Sequence, residues 1–346
     1  MNYAVITIDT EAWHGDSPID RLIWGKNRDG EHGLSYLIDL FEKHGVKAIF
    51  FLDFAECWDY GEDKLQEVAD YIIKRGHTIG VHIHPAHMAD SNKDFLWQYS
   101  LSEQENIISR VTAKYRDIVG SDPKYFRVGK YAANNQTLNI IAEHGYKYDF
   151  SEFYGNKWCQ IDPPITADHS FNYGPFWEFP VTAFCALKTF GFQKFDKIDM
   201  EMSTPIFRYV LKKFAKQNDK QVVSLFGHSF SFVGNRYSEN MNELYFDEST
   251  AAKFENCLSA VEAIPNLSLI SPEELEKVVK DGELNGNMPN SFPSVQIKNP
   301  LVCVYYFYAT AWRIKSFNKN ARLLLTGTAI LVIAALFLFM SSILWW

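Results

Sequence analysis

Short apolar runs alternate with segments of helical apolar spacing along most of the chain. Runs rich in Ile, Val and Phe predict buried strands, and apolar residues three or four positions apart predict helices between them. The predicted strands are residues 4–9, 46–53, 78–83, 125–128, 147–150, 221–227 and 267–270, and the predicted helices are residues 33–44, 64–75, 102–119, 135–144, 204–216, 249–263 and a last one after Ser271. Because each connection is long enough to hold a helix, we expect the strands to pair in parallel. The pattern therefore predicts an α/β fold, a distorted, seven-stranded (β/α) barrel.

Two of the predicted helices carry sequence signals for their first turn. Ser102 is followed three residues later by Glu105, which is typical of a capping box at a helix N-terminus. Ser271 precedes Pro272, a residue that favours the first helical position. Between residues 153 and 199 the pattern is irregular and rich in aromatic residues, and the segment around Trp177 predicts one short extra strand. We expect this insertion to close over the top of the barrel.

The C-terminal part of the chain differs in composition from the rest. Residues 1–280 form the predicted catalytic barrel, and residues 281–299, rich in Asn, Gly and Pro, predict a linker. Residues 300–322 are an apolar and basic segment whose apolar part, residues 300–311, is too short to cross a membrane. Residues 323–346 carry no charge, and their length predicts a transmembrane helix.

The basic residues beside this predicted helix also suggest an orientation. They lie on its N-terminal side only, and the positive-inside rule then places the barrel in the cytoplasm. The chain runs from Met1 directly into a predicted buried strand, a pattern without an export signal. The five cysteines are widely spaced and form no CxxC pair, which is typical of a reducing compartment. We therefore expect a single-pass membrane protein with a C-terminal anchor.

Four of the ten histidines lie close together around one predicted strand, namely His77, His82, His84 and His87. Histidine is the commonest metal ligand, and ligands at the end of a strand converge easily on one point. His82 and His84 have the same parity, so both side chains project from one side of an extended strand. This cluster indicates a metal site.

Other ionisable residues follow the predicted strands in the same way. Asp9 and Glu11 come at and after the end of the first strand, Arg127 lies near the end of the fourth, Asp149 near the end of the fifth and His228 after the sixth. The carboxyl ends of parallel barrel strands meet at one face, where enzymes of this architecture place their active sites. The net charge of −8 and the lack of a basic stripe in the first 300 residues argue against a nucleic-acid partner.

Five ordered motifs resemble those of the polysaccharide deacetylase family, also called NodB-like or carbohydrate esterase family four. They are Ile6-Thr7-Ile8-Asp9-Thr10-Glu11, the segment from Gly76 to His87, Phe126-Arg127-Val128-Gly129-Lys130-Tyr131, Asp149-Phe150-Ser151, and Leu225-Phe226-Gly227-His228-Ser229. The resemblance covers residues 3–275 and implies a metal-dependent hydrolase. It implies that Asp9 is the catalytic base, positioned by Arg127, and that His228 is the general acid.

The same resemblance implies a metal held by one carboxylate and two histidines. Glu11, His82 and His87 supply three nitrogen and oxygen ligands, a set typical of a catalytic zinc with an open position for water. The spacing from His82 to His87 is one residue longer than the usual one, so His84 competes with His87 for the second histidine position. Zinc is the expected divalent metal.

We expect the substrate to be a glycan or a lipid-linked sugar that meets the enzyme at the membrane. Tyr131 in the third motif and Trp177 in the aromatic insertion are the residues expected to contact it. The resemblance thus implies removal of an N-acetyl or related acyl group. Two alternatives stay open: hydrolysis of a non-sugar C–N bond on the same site, and a catalytically inactive glycan-binding membrane protein.

Overall fold

A computed structural model describes residues 2–13, 15–162, 169–189, 192–217, 220–287, 295–313 and 327. The strands among them are β1 Asn2–Thr10, β2 Lys26–Asn27, β3 Gly30–Glu31, β4 Ile49–Asp53, β5 Thr78–Ile83, β6 Tyr125–Val128, β7 Tyr148–Asp149, β8 Phe171–Asn172, β9 Trp177–Glu178, β10 Ala183–Thr189, β11 Phe192–Lys197, β12 Val222–His228, β13 Val233–Gly234, β14 Tyr245–Phe246 and β15 Leu267–Leu269. The α-helices are α1 Leu34–Lys43, α2 Cys57–Tyr60, α3 Glu62–Lys74, α4 Leu101–Val119, α5 Asn135–Glu143, α6 Thr204–Phe214, α7 Glu248–Glu262, α8 Pro272–Lys280 and α9 Pro300–Arg313.

One large sheet organises these elements. Its strands run in the order β12-β1-β4-β5-β6-β7-β9-β8, and β15 also pairs with β1. All of these pairs are parallel except the last, between β9 and β8. The seven strands predicted from the sequence correspond to β1, β4, β5, β6, β7, β12 and β15, and the extra strand expected at Trp177 is β9. The α/β class and the parallel pairing are confirmed.

The sheet is curled so strongly that side chains on distant strands meet. β6 is the third strand from β1 in the sheet order, about 14 Å away if the sheet were flat. Side chains stand roughly perpendicular to a flat sheet, so residues at that separation would not touch. Arg127 of β6 nevertheless donates a hydrogen bond from Nη1 to Asp9 Oδ1 of β1 at 2.8 Å. The two ends of the path, β12 and β8, do not pair among the described residues, so the predicted distorted barrel is there a curled half-barrel.

Successive side chains of β1 point to opposite faces of the sheet, and both faces are covered, so every residue of this strand is buried. Ala4, Ile6 and Ile8 face the large core that includes the helices. Tyr3 and Val5 face the inside of the curl, in a second apolar cluster. This second cluster also holds residues in or shortly after β4, β6, β7, β9, β12, β15 and α8, namely Ile49, Phe51, Tyr125, Tyr148, Phe150, Phe179, Val222, Ile270, Leu275, Val278 and Leu284. The inside of the curl is therefore filled by side chains except at the end where the polar residues gather.

Of the two predicted helix caps, the one at α8 lies where the sequence predicts it, and the one at α4 lies two residues earlier. Ser271 caps α8, where its Oγ accepts the Glu274 N–H at 3.2 Å, as predicted. The capping box of α4 consists of Ser100 and Glu103 instead of Ser102 and Glu105. The Ser100 N–H donates to Glu103 Oε2 at 2.8 Å, because the helix begins at Leu101, one residue before the expected cap.

Described residues of the predicted linker lie against the catalytic part of the chain. Tyr3 donates from its hydroxyl to Glu283 Oε2 at 2.7 Å, and Ile297 N–H donates to the Cys185 carbonyl at 3.0 Å. In α9, Tyr306 is buried against Phe184, with ring centroids 6.0 Å apart. The apolar segment at residues 300–311 thus packs against β10 through Tyr306.

No helix among the described residues has both the length and the apolar character needed to cross a bilayer. The predicted transmembrane helix, residues 323–346, lies outside the described residues except for Gly327. The C-terminal anchor and the orientation derived from it stay predictions.

His77, the first residue of the histidine cluster, is buried and packs against aromatic side chains. Its ring lies near those of Phe50 and Phe41, with centroids 5.2 Å and 6.2 Å away. Its Nδ1 accepts the Ala48 N–H at 3.2 Å. Burial lowers the pKa of His77 to about 4, because the charged ring would lose its contact with water.

We expect His77 to contribute to the pH dependence of stability. Between about pH 4 and pH 6.5 the unfolded chain binds a proton on His77 that the folded chain does not. The free energy of unfolding should therefore fall as the pH falls through this range, by up to about 1.4 kcal/mol per pH unit from this group. Urea unfolding at pH 7 and pH 5 measures this fall in the free energy of unfolding. The variant His77→Asn, which keeps an acceptor for the Ala48 N–H, should show a smaller fall. An equal fall in both proteins would contradict the assignment.

Candidate active site

Strand register brings the ionisable residues to one end of the half-barrel. Asp9 of β1 lies opposite His228 of β12. His82 of β5 lies opposite both Asp53 of β4 and Arg127 of β6. Because these pairs all stand at the carboxyl ends of parallel strands, their side chains share one edge, as expected from the sequence.

Glu11, His82 and His84 form a compact group at this edge. Glu11 Oε2 lies 2.7 Å from His84 Nε2 and 3.3 Å from His82 Nε2. One ligand atom from each of the three residues lies within 4.8 Å of the others, as in a metal site. Burial acts to raise the pKa of the Glu11 carboxyl, but the neighbouring His84 and His82 outweigh it and hold that pKa well below its usual range. Glu11 is therefore an ionised carboxylate.

The opposite nitrogens of the two rings are fixed by other groups. His82 donates from Nδ1 to the Arg127 carbonyl oxygen at 2.8 Å. His84 Nδ1 lies 3.1 Å from Asp94 Oδ1, and Asp94 in turn pairs with Lys130. Metal-bound histidines have such partners on the second nitrogen, which orient the ring and set its tautomer. The donor set of two imidazoles and one carboxylate fits a divalent metal such as zinc.

Asp9 and Arg127 form a buried ion pair next to this group. Arg127 is fully buried, and besides Asp9 Oδ1 its guanidinium donates to Thr7 Oγ1 at 3.0 Å and to the Phe150 carbonyl at 3.2 Å. The guanidinium also lies over the Phe51 ring, 4.4 Å from its centroid. These contacts hold the Arg127 guanidinium in one position, and the guanidinium in turn holds the Asp9 carboxylate at the edge of the site.

His228 lies on the other side of Glu11, with its Nε2 3.8 Å from Glu11 Oε1. Its ring is stacked on Phe230 and meets Phe226 edge-on, with centroids 4.5 Å and 4.7 Å away. Burial, followed by the Lys197 cation, lowers the pKa of His228. The protonated ring is therefore a stronger acid than ordinary histidine.

The structure does not bring every predicted site residue to this group. The short turn Pro85–His87 follows β5 and carries His87 away from Glu11, and its Nδ1 lies 2.7 Å from Asp59 Oδ2. Tyr131 is buried near the site, where its hydroxyl accepts a hydrogen bond from Lys197 Nζ at 2.8 Å. Trp177 packs instead on Phe179, at the margin of the inner apolar cluster. Of the two histidines that competed for one ligand position, His84 is the one beside Glu11.

Two carboxylates near the site were not singled out from the sequence. Asp53 stands at the end of β4, the same position that drew attention to Asp9, so the strand-end rule applied to it as well. Asp94 follows His84 by ten residues in an irregular segment, and no pattern in the sequence links the two. Its role depends on the path of the loop.

Part of the chain is similar to proteins of one known family. Residues 26–148 match the family model of polysaccharide deacetylases. A curated peptidoglycan deacetylase from Helicobacter pylori is 24% identical over 150 residues, which are 40% of this chain and 46% of that protein. The match thus spans less than half of that relative's length.

A solved structure from Mycobacterium smegmatis, assigned to the polysaccharide deacetylases, shares the fold with a TM-score of 0.54 and 16% identity. The similarity covers 85% of this chain and 94% of that one. The family match includes His82, His84 and Arg127, while Asp9, Glu11 and His228 lie outside it. The family match over residues 26–148 and the shared fold confirm the resemblance to polysaccharide deacetylases that the sequence motifs show.

Proposed function

We propose that this chain is a metal-dependent deacetylase that hydrolyses an N-acetyl or related acyl group on a glycan. The observation that carries the proposal is the convergence of Glu11, His82 and His84 beside the Asp9–Arg127 pair and His228. This arrangement offers a metal site, a held carboxylate and an imidazole at one edge of the sheet. Those are the groups that hydrolysis of an amide requires.

Glu11, His82 and His84 are the residues that would hold the metal. A divalent ion held by them would supply a water molecule of lowered pKa and would polarise the acyl oxygen. The two histidines present Nε2 to this position because their Nδ1 atoms are engaged by the Arg127 carbonyl and by Asp94. This ligand set has His84 in place of His87, the histidine that the family resemblance implied and with which His84 competed.

Asp9 is the proposed base and His228 the proposed acid. Arg127 holds the Asp9 carboxylate in one orientation, so that it can accept the proton of the attacking water. The lowered pKa of His228 favours transfer of its proton to the departing nitrogen once the ring is protonated. The two groups flank Glu11 from neighbouring strands, a placement that supports action on opposite sides of one bond.

The proposed substrate is an N-acetylated glycan, either lipid-linked or still being assembled at a membrane. The name of the Helicobacter pylori relative supports a cell-wall glycan. The apolar residues 323–346 support a membrane-proximal location on the cytoplasmic side. Tyr131, which lies near His228 through the Phe226 ring, is the proposed substrate contact.

Acetate release from a panel of N-acetylated oligosaccharides and peptidoglycan fragments tests the function. We expect the metal-loaded wild type to release acetate from at least one of them. His84→Ala should lose one equivalent of metal and lower turnover by at least about tenfold, since loss of groups in a metal site typically costs 10- to 100-fold. His82→Ala should behave in the same way, and His87→Ala should lower turnover less than either.

His144→Ala is the matched control, because this partly buried histidine pairs with Glu105 elsewhere in the fold. If His87→Ala lost metal and turnover while His84→Ala kept both, the ligand set would return to His82 and His87. Failure of the loaded wild type to release acetate from every acetylated glycan would contradict the proposed function itself.

A further inference from the structure

A second group of potential ligands lies beside the first. Asp53, Glu56 and His87 are all buried, and one ligand atom from each lies within 4.8 Å of the other two. Asp53 ends β4, Glu56 belongs to the single turn Phe54–Glu56 that follows, and His87 comes from the turn after β5. None of these three residues has a part in the proposed deacetylation.

Glu56 carries a buried oxygen that needs a partner. Its side chain is fully buried, and Oε1 accepts the Ala12 N–H. Its Oε2 has no hydrogen-bond partner in the part of the chain that the structure describes. A buried polar atom without a partner is costly, and buried charges are normally paired or bound to metals. The Oε2 atom is therefore a candidate ligand atom for a cation.

The carboxylate oxygens of Asp53 can accept further bonds beside Glu56. Its Oδ1 accepts the Ala55 N–H at 2.9 Å, and its Oδ2 accepts the His84 N–H at 3.1 Å. Each oxygen of a carboxylate can accept a further bond. Two buried carboxylates this close repel each other unless a proton or a cation lies between them.

His87 adds a nitrogen donor and is oriented by a carboxylate. Its Nδ1 lies 2.7 Å from Asp59 Oδ2. A carboxylate on one ring nitrogen is the usual arrangement when the other nitrogen binds a metal. The histidine thus distinguishes this group from a simple cluster of acidic residues.

We propose that Asp53, Glu56 and His87 bind a second divalent cation. Two carboxylates and one imidazole form a nitrogen and oxygen donor set that suits zinc or manganese. The site is separate from Glu11, His82 and His84, and it does not depend on the proposed deacetylase activity. A proton shared by Asp53 and Glu56 is the competing explanation.

The cation would stabilise the loops that carry the first site. Glu56 accepts a hydrogen bond from the N–H of Ala12, the residue after Glu11, and Asp53 accepts one from the N–H of His84. Binding at the second site would fix both carboxylates and, through these hydrogen bonds, the positions of two ligands of the first site. Its role is to position those ligands and not to contact the substrate.

Counting bound metal tests the proposal. The untagged full chain is stripped with a chelator, dialysed against Zn²⁺ or Mn²⁺, and its metal content is measured. We expect two equivalents in the wild type and one in each of Glu11→Gln and Glu56→Gln. Added Zn²⁺ should raise the Tm of Glu11→Gln, because binding to the folded state stabilises it, and should raise the Tm of Glu11→Gln/Glu56→Gln much less.

His87→Gln is the second variant, in case Glu56→Gln does not fold, and it should also bind one equivalent. Glu255→Gln, which changes a glutamate paired with Lys43 at the surface, is the control and should bind two. One equivalent in the wild type, kept by Glu56→Gln and lost by Glu11→Gln, would overturn the proposal in favour of the shared proton. Two equivalents in both Glu56→Gln and His87→Gln would overturn it as well.

Discussion

Asp9→Asn and His228→Gln are each expected to lower turnover by about 100-fold to 10,000-fold while leaving the metal bound. General acid and base groups contribute on this scale. Asparagine keeps the shape of Asp9 and an oxygen that can accept from Arg127, but it does not take up the proton of a water molecule. Glutamine at position 228 likewise fills much of the space between Phe226 and Phe230 without an acidic proton. Neither residue belongs to the ligand group Glu11, His82 and His84.

Turnover on the substrate identified by acetate release and metal content per chain are the two measurements. The matched controls are Asp122→Asn, at a surface aspartate paired with Arg116, and His144→Gln, at the histidine paired with Glu105. Both controls should keep turnover within a few-fold of the wild type. Near-normal turnover in Asp9→Asn or His228→Gln would show that the altered residue does not have the assigned role.

Arg127→Met is expected to lower the free energy of unfolding by about 3–5 kcal/mol. Removal of one partner from a buried ion pair leaves an uncompensated charge, and that change is typically costly on this scale. Arg127 is fully buried, and Asp9 is almost so. The hydrogen bonds to Thr7 and to the Phe150 carbonyl are lost in the same variant.

Urea unfolding of four proteins separates these contributions: wild type, Arg127→Met, Asp9→Asn and the double variant. The double variant should be less destabilised than the sum of the two single variants, because the asparagine side chain that replaces Asp9 carries no charge that needs Arg127. Arg116→Met, which breaks an exposed pair with Asp122, is the control and should cost less than about 1 kcal/mol. A cost below about 1 kcal/mol for Arg127→Met would contradict the role of the pair in holding the fold.

The sequence predicted the sheet because its strands are buried on both faces. Such strands appear as continuous apolar runs, which are visible without knowledge of the fold. Asp9, His82, Arg127 and His228 could be placed together by the same reasoning, since each stands at the end of one of those runs. Strand identity and this part of the site were therefore predictable from local pattern.

The choice between His84 and His87 could not be made in this way. It depends on how the chain turns after β5, and the turn at Pro85 carries His87 towards Asp59 while His84 stays beside Glu11. Asp94 reaches His84 through an irregular loop that has no periodic signal. The curl of the sheet could not be predicted from local sequence patterns either. It depends on how β8 and β9 extend the sheet and on the long-range contact of Arg127 with Asp9.

The position of β1 in the sheet has a consequence for biosynthesis. Its neighbours β12 and β15 lie more than 200 residues further along the chain, as the register of Tyr3 with Val222 and with Ser268 shows. During translation β1 can pair early only with β4, through Thr7 to Thr10. Pairings between residues so distant in sequence form slowly, and the strand edge exposed meanwhile is prone to aggregation. The nascent chain must therefore keep its first apolar strand protected until the segment around residue 228 has left the ribosome, and only then can Asp9 and His228 meet.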